Sequence, residues 1–161
     1  MDTVYLETSI VSYLRQKPSS QLVAATRQLL THRWWTRERC HYQLVVSQYV
    51  IDEVSLGDPA LARDRLSALD GILLLPHDPE VQRVAREIMA IGVLPPKAQV
   101  DALHIAAAAH HRVQYLLTWN CKHIANAKIL PRIHRVLAGL GIPIPMICTP
   151  QELLGDDPEN D

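Results

Sequence analysis

Apolar residues gather in five short runs along the chain: VYL at 4–6, LVV at 44–46, ILLL at 72–75, YLL at 115–117 and PMIC at 145–148. Each run is nearly continuous rather than alternating. Strands covered on both faces have this pattern, as in a parallel sheet flanked by helices. The segments between them are long enough for helices, and residues 20–38 and 79–91 carry apolar positions at helical spacing. Asp58-Pro59 and Asp78-Pro79 read as helix starts, with Asp as the cap and Pro in the first turn. Pro95-Pro96 opens another helix, expected from about Lys97 to His111, and GLGIP at 139–143 closes the last long one. Strands alternating with helices predict one α/β domain around a parallel central sheet. The domain is expected over residues 1–154, with 155–161, GDDPEND, as a disordered acidic tail.

Composition narrows the class of protein. Apolar residues make up 48% and charged residues 20% of the 161 positions, an ordinary globular balance. No apolar run approaches the roughly 18 residues that span a bilayer, so no membrane partner is expected. Met1-Asp2 is not followed by a basic segment leading into an apolar one, so a signal peptide is not expected either. Cys40, Cys121 and Cys148 form no CxxC pair, which argues against a disulfide framework or a structural zinc site. These features together suggest a reduced, cytoplasmic protein. The net charge of −1 does not announce nucleic-acid binding. Basic residues are nevertheless clustered: Arg27, Arg33, Arg37 and Arg39 surround Trp34 and Trp35, and Lys122, Lys128, Arg132 and Arg135 follow later. Each run reads as a solvated helix face or as a local phosphate-binding edge.

The architecture directs attention to particular residues. In open α/β sheets, ligands bind outside the carboxyl ends of the strands. Glu7 follows the first strand. Ser47 follows the second and leads into a helical stretch with Asp52 and Glu53. Asp101 begins the helix after Pro96, and Thr118-Trp119-Asn120 follows the fourth strand. In VIDEV, Val50, Ile51 and Val54 define the buried stripe; Glu53 flanks it, while Asp52 points to solvent. Carboxylates that converge in a crevice repel one another unless a cation or protons neutralise them. Oxygen ligands of this kind suit magnesium or manganese, and such an ion can clamp a phosphate and activate water. Glu7, Glu53, Asp101 and Asn120 are thus the candidate site.

Each of these residues has a plainer alternative. Glu7 or Asn120 could be a helix cap, Glu53 a surface acid, and Asp101 a first-turn acid complementing the helix dipole. His104 shares the Asp101 stripe and reads as a packed helix histidine or a site contact. Trp119 could stack on a base or pack under its loop. Trp34 and Trp35 suit packing or a dimer face.

Four motifs in order resemble the PIN domain family. VYLETSIVSYL is similar to its opening strand and acid-Thr-Ser motif. VVSQYVIDEV is similar to the strand ending in Ser and followed by a helical Glu. VDALHIAAA is similar to the Asp that opens an alanine-rich helix, and YLLTWNCKHIAN to the strand ending in Thr-x-acid. The resemblance runs from residue 3 to about residue 150, and the subgroup it most resembles is the VapC-like toxins of bacterial toxin–antitoxin pairs. It implies a Rossmann-like five-stranded parallel sheet of order 3-2-1-4-5. It also implies a Mg²⁺- or Mn²⁺-dependent ribonuclease acting on RNA, often a homodimer, restrained by an antitoxin. By position, Glu7, Glu53 and Asp101 would be the metal ligands and Asn120 would fill the fourth acidic place. Thr8, Ser9, Ser47 and Thr118 would support them. The first acid of the family is usually Asp, and here it is Glu7; the fourth is usually Asp, and here it is Asn120. Two other readings compete: a weak or inactive nucleic-acid-binding PIN fold, and a regulatory α/β module taking a small ligand in the same crevice.

Overall fold

The computed structural model describes residues 1–155, so most of the expected acidic tail lies outside the described residues. In chain order the elements are β1 (Thr3–Leu6), α1 (Thr8–Arg15), α2 (Leu22–Arg37), β2 (Gln43–Val46), α3 (Gln48–Val54), α4 (Pro59–Ser67), β3 (Leu73–Leu74), α5 (Pro79–Ala90), α6 (Gln99–His110), β4 (Tyr115–Leu117), α7 (Leu130–Gly139) and β5 (Met146–Cys148). The five strands form one sheet in the order 3-2-1-4-5, and every neighbouring pair is parallel.

The short apolar runs form the strands for the reason their pattern suggests. Val4, Tyr5 and Leu6 of the central strand are wholly buried, as are Leu116 and Leu117 beside them. β3 departs from that expectation. Only Leu73 and Leu74 of ILLL pair, and they are 51% and 47% exposed. An edge strand has one neighbour and less helix cover, so an apolar run there need not be buried. Met146 on the opposite edge is exposed too.

The helix boundaries follow their local chemistry. Asp58 caps α4 by accepting from the Ala60 and Leu61 N–H groups, and Asp78 caps α5 by accepting from Glu80. The prolines after them sit in the first turn, where no N–H is required. Gly141, at φ 69°, lets the chain leave α7 in the left-handed region, with Gly141 and Ile142 N–H groups donating to the Ala138 and Leu137 carbonyls. Pro95-Pro96 leads first into a short 3₁₀ turn, Pro96–Ala98, before α6 begins at Gln99.

α6 is the most enclosed helix. Ala102, Ile105 and Ala106 to Ala109 are buried, so it is covered on every side rather than along one stripe. It packs on α5, α3 and β4. Alanine side chains let neighbouring backbones come close, which fixes where the start of the helix meets the sheet edge.

Several titrating groups give stability one sign with pH. Burial first, and then the charge of His110, holds His111 below its ordinary value of 6.5; burial does the same for His134. The Glu80 backbone N–H first, and then His110, holds Asp78 below its ordinary 3.8. Each depressed histidine takes up its proton more readily when unfolded, so its contribution falls as pH drops through the unfolded value. Asp78 stabilises above its unfolded value and loses that effect as pH drops through its lower folded value. We expect the urea midpoint to fall from about pH 7.5 to about pH 5, and again below about pH 4. A midpoint that rises on acidification contradicts this assignment.

Candidate functional site

The register aligns the strand ends at one edge. Leu6 lies opposite Leu117, Leu117 opposite Cys148, and Val46 opposite Leu74. The ladder continues one residue further. The Glu7 N–H donates to the Leu117 carbonyl at 3.1 Å, and the Thr118 N–H donates to the Cys148 carbonyl at 3.0 Å. Glu7, Ser47 and Thr118 are each the first residue beyond a strand, so they gather at the carboxyl edge although far apart in sequence.

Glu7 is 5% exposed, a low value for an acid with no ion pair among the described residues. Its Oε2 accepts from the Ser9 N–H at 3.1 Å, from the Thr118 hydroxyl at 2.7 Å and from the Ser9 hydroxyl. Those two hydroxyls are themselves held by backbone donors: Ser9 Oγ accepts the Trp119 N–H, and Thr118 Oγ1 accepts the Asn120 N–H. Their protons are thereby directed at Glu7. The cap and the crevice acid are the same conformation, since Glu7 is also the N-cap of α1. All three bonds converge on Oε2, which leaves Oε1 for another partner.

Glu53 reaches the edge from α3. Its Oε1 accepts from the Thr8 hydroxyl at 2.7 Å and pairs with His104 Nε2 at 2.5 Å. Burial alone would raise this carboxyl, but its hydrogen bonds with His104 and the Thr8 hydroxyl work against that, and it is held below the ordinary 4.5. Asp52 is exposed and bonded to the Gln48 amide at 2.9 Å. Ser47 makes no side-chain cap bond to α3; its hydroxyl meets the Tyr5 hydroxyl at 2.6 Å.

Asp101 and Asn120 form a second group. Asp101 is the third residue of α6. Its Oδ1 accepts from Asn120 Nδ2 at 3.1 Å, and its Oδ2 pairs with His123 Nδ1 at 2.9 Å. Asn120 Oδ1 in turn accepts the His123 N–H at 2.9 Å, so the three residues close a ring. Asn120 caps a turn rather than a helix, because α7 begins only at Leu130.

Among the described residues, the metal-competent cluster is Glu7, Glu53 and His104, whose nearest ligand atoms lie within 4.8 Å of one another. Asp101 stands outside that cluster, with both oxygens engaged. His104 unites its two sequence-based alternatives: it is fully buried, and it touches the site through Glu53. His123 lies outside the residues expected for the site. Its signal is spacing, since it lies three residues after Asn120, as His104 lies three after Asp101. The free oxygens of Glu7 and Glu53 are hard donors that fit a divalent cation such as Mg²⁺ or Mn²⁺, while His104 Nε2 is already committed to Glu53.

The aromatic and basic residues nearby are largely occupied with packing. Trp119 is 7% exposed, and its Nε1 donates to the buried Thr31 hydroxyl at 2.8 Å. It lies edge-on to Tyr13, with the Arg27 guanidinium 5.3 Å from its ring. It packs under the loop and presents no open face for a base. Arg39 covers Trp35 at 4.2 Å, and Trp34 is wholly buried.

No protein-family model and no curated protein sequence matches the chain. Solved structures do. VapC20 from Mycobacterium tuberculosis, a Sarcin-Ricin loop cleaving toxin, aligns with a TM-score of 0.59 and 14% identity, over 74% of this chain and 92% of that one. A chain of VapBC2 from Rickettsia felis, bound to a DNA fragment from their promoter, aligns with a TM-score of 0.54 and 15% identity, over 91% of this chain and 98% of that one. With its parallel sheet of order 3-2-1-4-5 and its strand-end acids, the chain adopts the PIN-domain fold of these VapC structures.

Proposed function

We propose that this protein is a divalent-metal-dependent endoribonuclease, a VapC-like member of the PIN domain family, and the toxin of a toxin–antitoxin pair. The observation that carries the reading is the convergence of Glu7 and Glu53 at the carboxyl edge of this sheet, within 4.8 Å ligand-atom spacing. The fold it shares with a Sarcin-Ricin loop cleaving toxin supports RNA as the substrate class. Glu7 and Glu53 would hold Mg²⁺ or Mn²⁺, with Asp101 at the rim as a further ligand. A bound ion would neutralise phosphate charge and lower the pKa of a coordinated water.

The residues of the chain supply orientation. Ser9 and Thr118 fix the Glu7 carboxylate, and Thr8 and His104 fix that of Glu53. Asn120 and His123 hold Asp101. A homodimer and a cognate antitoxin are the partners this reading implies. It is tested by incubating purified protein with structured and single-stranded RNA in Mg²⁺, in Mn²⁺ and in chelator. Cleavage that needs the ion and is lost in Asp101→Asn supports it. No cleavage with either ion across varied RNAs overturns it and leaves an RNA-binding PIN fold.

That second reading has one observation in its favour: the fourth acidic position is an amide that donates to Asp101. Asn120→Asp would place a second carboxylate within hydrogen-bond range of the first. The expected outcome is a lower melting temperature without metal and a larger rise on adding Mn²⁺. Unchanged values in both conditions would show that charge at this position does not govern the site.

A further inference from the structure

A buried polar chain runs from the core into the candidate metal centre. Ser47 Oγ lies 2.6 Å from the Tyr5 hydroxyl, Tyr5 lies 2.7 Å from His104 Nδ1, and His104 Nε2 lies 2.5 Å from Glu53 Oε1. Tyr5 and His104 are wholly buried, and Ser47 is 5% exposed. The two rings meet edge-on at 5.8 Å. Nothing in the sheet requires this. An apolar trio of similar volume would fill the same space without polar groups to satisfy. Glu53 is the most exposed member of the run, with its side chain 34% exposed.

The directions of the bonds can be assigned. A tyrosine hydroxyl keeps its proton at neutral pH, since its ordinary pKa is about 10. Glu53 can only accept as a carboxylate, so the proton between it and His104 sits on Nε2. His104 Nδ1 then accepts from Tyr5, and Tyr5 accepts from Ser47. Every donor in the run has one acceptor, and the imidazole is held in the Nε2–H tautomer.

We propose that Tyr5 is a positioning residue of the metal centre, acting through His104 to fix the direction of the Glu53 carboxylate. The inference rests on the metal-site reading above. It assigns a role to a central-strand residue that, read as part of VYL alone, is a core side chain. Hydrogen-bonding partners behind a ligand commonly contribute about 10- to 100-fold to metal affinity or activity.

Tyr5→Phe keeps the ring and removes one oxygen, so the fold should survive. Mn²⁺ binding, read by calorimetry on the RNA-free protein, is expected to weaken by about 10-fold. Nitrogen NMR should report the Nε2–H tautomer of His104 in the wild type, and a mixture with Nδ1–H in Tyr5→Phe. His104→Gln can retain an amide donor towards Glu53 and should bind Mn²⁺ more tightly than His104→Leu. Wild-type Mn²⁺ affinity in a folded Tyr5→Phe, or an Nδ1–H tautomer in the wild type, overturns the proposal. In that case RNA cleavage by the wild type would leave the nuclease reading standing. The expected affinity loss without any RNA cleavage would uphold the positioning role and remove the nuclease. A wild type that takes up no Mn²⁺ overturns both.

Discussion

Glu7→Gln is expected to reduce RNA cleavage by two orders of magnitude or more. The substitution is isosteric, so lost activity cannot be assigned to lost volume. It removes the charge of the most buried acid at the sheet edge. It also creates a conflict, because three donors converge on Oε2. A glutamine can offer its carbonyl oxygen to those donors only by turning its NH₂ towards the place a cation would occupy. Turned the other way, it sets donor against donor. Metal-assisted stabilisation is worth several kcal/mol, and about 1.4 kcal/mol corresponds to one decade of rate. Cleavage and Mn²⁺ affinity should therefore fall together. The check is single-turnover cleavage beside calorimetry, with the melting temperature as control. A variant that keeps its Mn²⁺ affinity and its rate would remove Glu7 from the ligand set.

Ala108→Leu should cost stability and activity together. Ala108 is fully buried in the last turn of a helix that is buried over most of its length. Adding methylenes to a filled site typically costs about 1–3 kcal/mol. For a chain of this size each kcal/mol lowers the melting temperature by about 2–4 °C. The backbone shift that relieves the clash would also displace Asp101 and His104, which ride on the same helix. Denaturant midpoint and cleavage rate should both drop, whereas Ala108→Ser should leave both nearer the wild type. An unchanged midpoint in Ala108→Leu would mean that α6 has room on that face.

The fold was legible in the chain because its central strands are short, apolar and unalternating, and because Asp-Pro pairs mark two helix starts. The strand order came from the likeness of the four motifs, since periodicity alone does not order strands. β3 was less legible. Its leucines read as buried, but burial depends on what lies beside a strand, and an edge position is not written in its residues. The positions of Glu7 and Glu53 follow from strand ends and helical phase. The engagement of Asp101 with Asn120 and His123 does not. It depends on how the turn after β4 folds back onto α6, a contact between residues 19 and 22 positions apart. His104 was visible on the Asp101 stripe, but its link to Tyr5 spans 99 positions and has no local signature.

The backbone bond from Glu7 to Leu117 has a consequence for how the crevice breathes. Freeing the Glu7 amide means parting β1 from β4 at the centre of the sheet. Glu7 is therefore expected to be among the last groups of the crevice to open. The Asp101 ring closes instead through side chains of a turn, and such segments open at far lower cost. One wall of the crevice is tied by its backbone to the central strands. The other is expected to open locally while the fold persists, and on the nuclease reading that opening would admit a long phosphodiester strand.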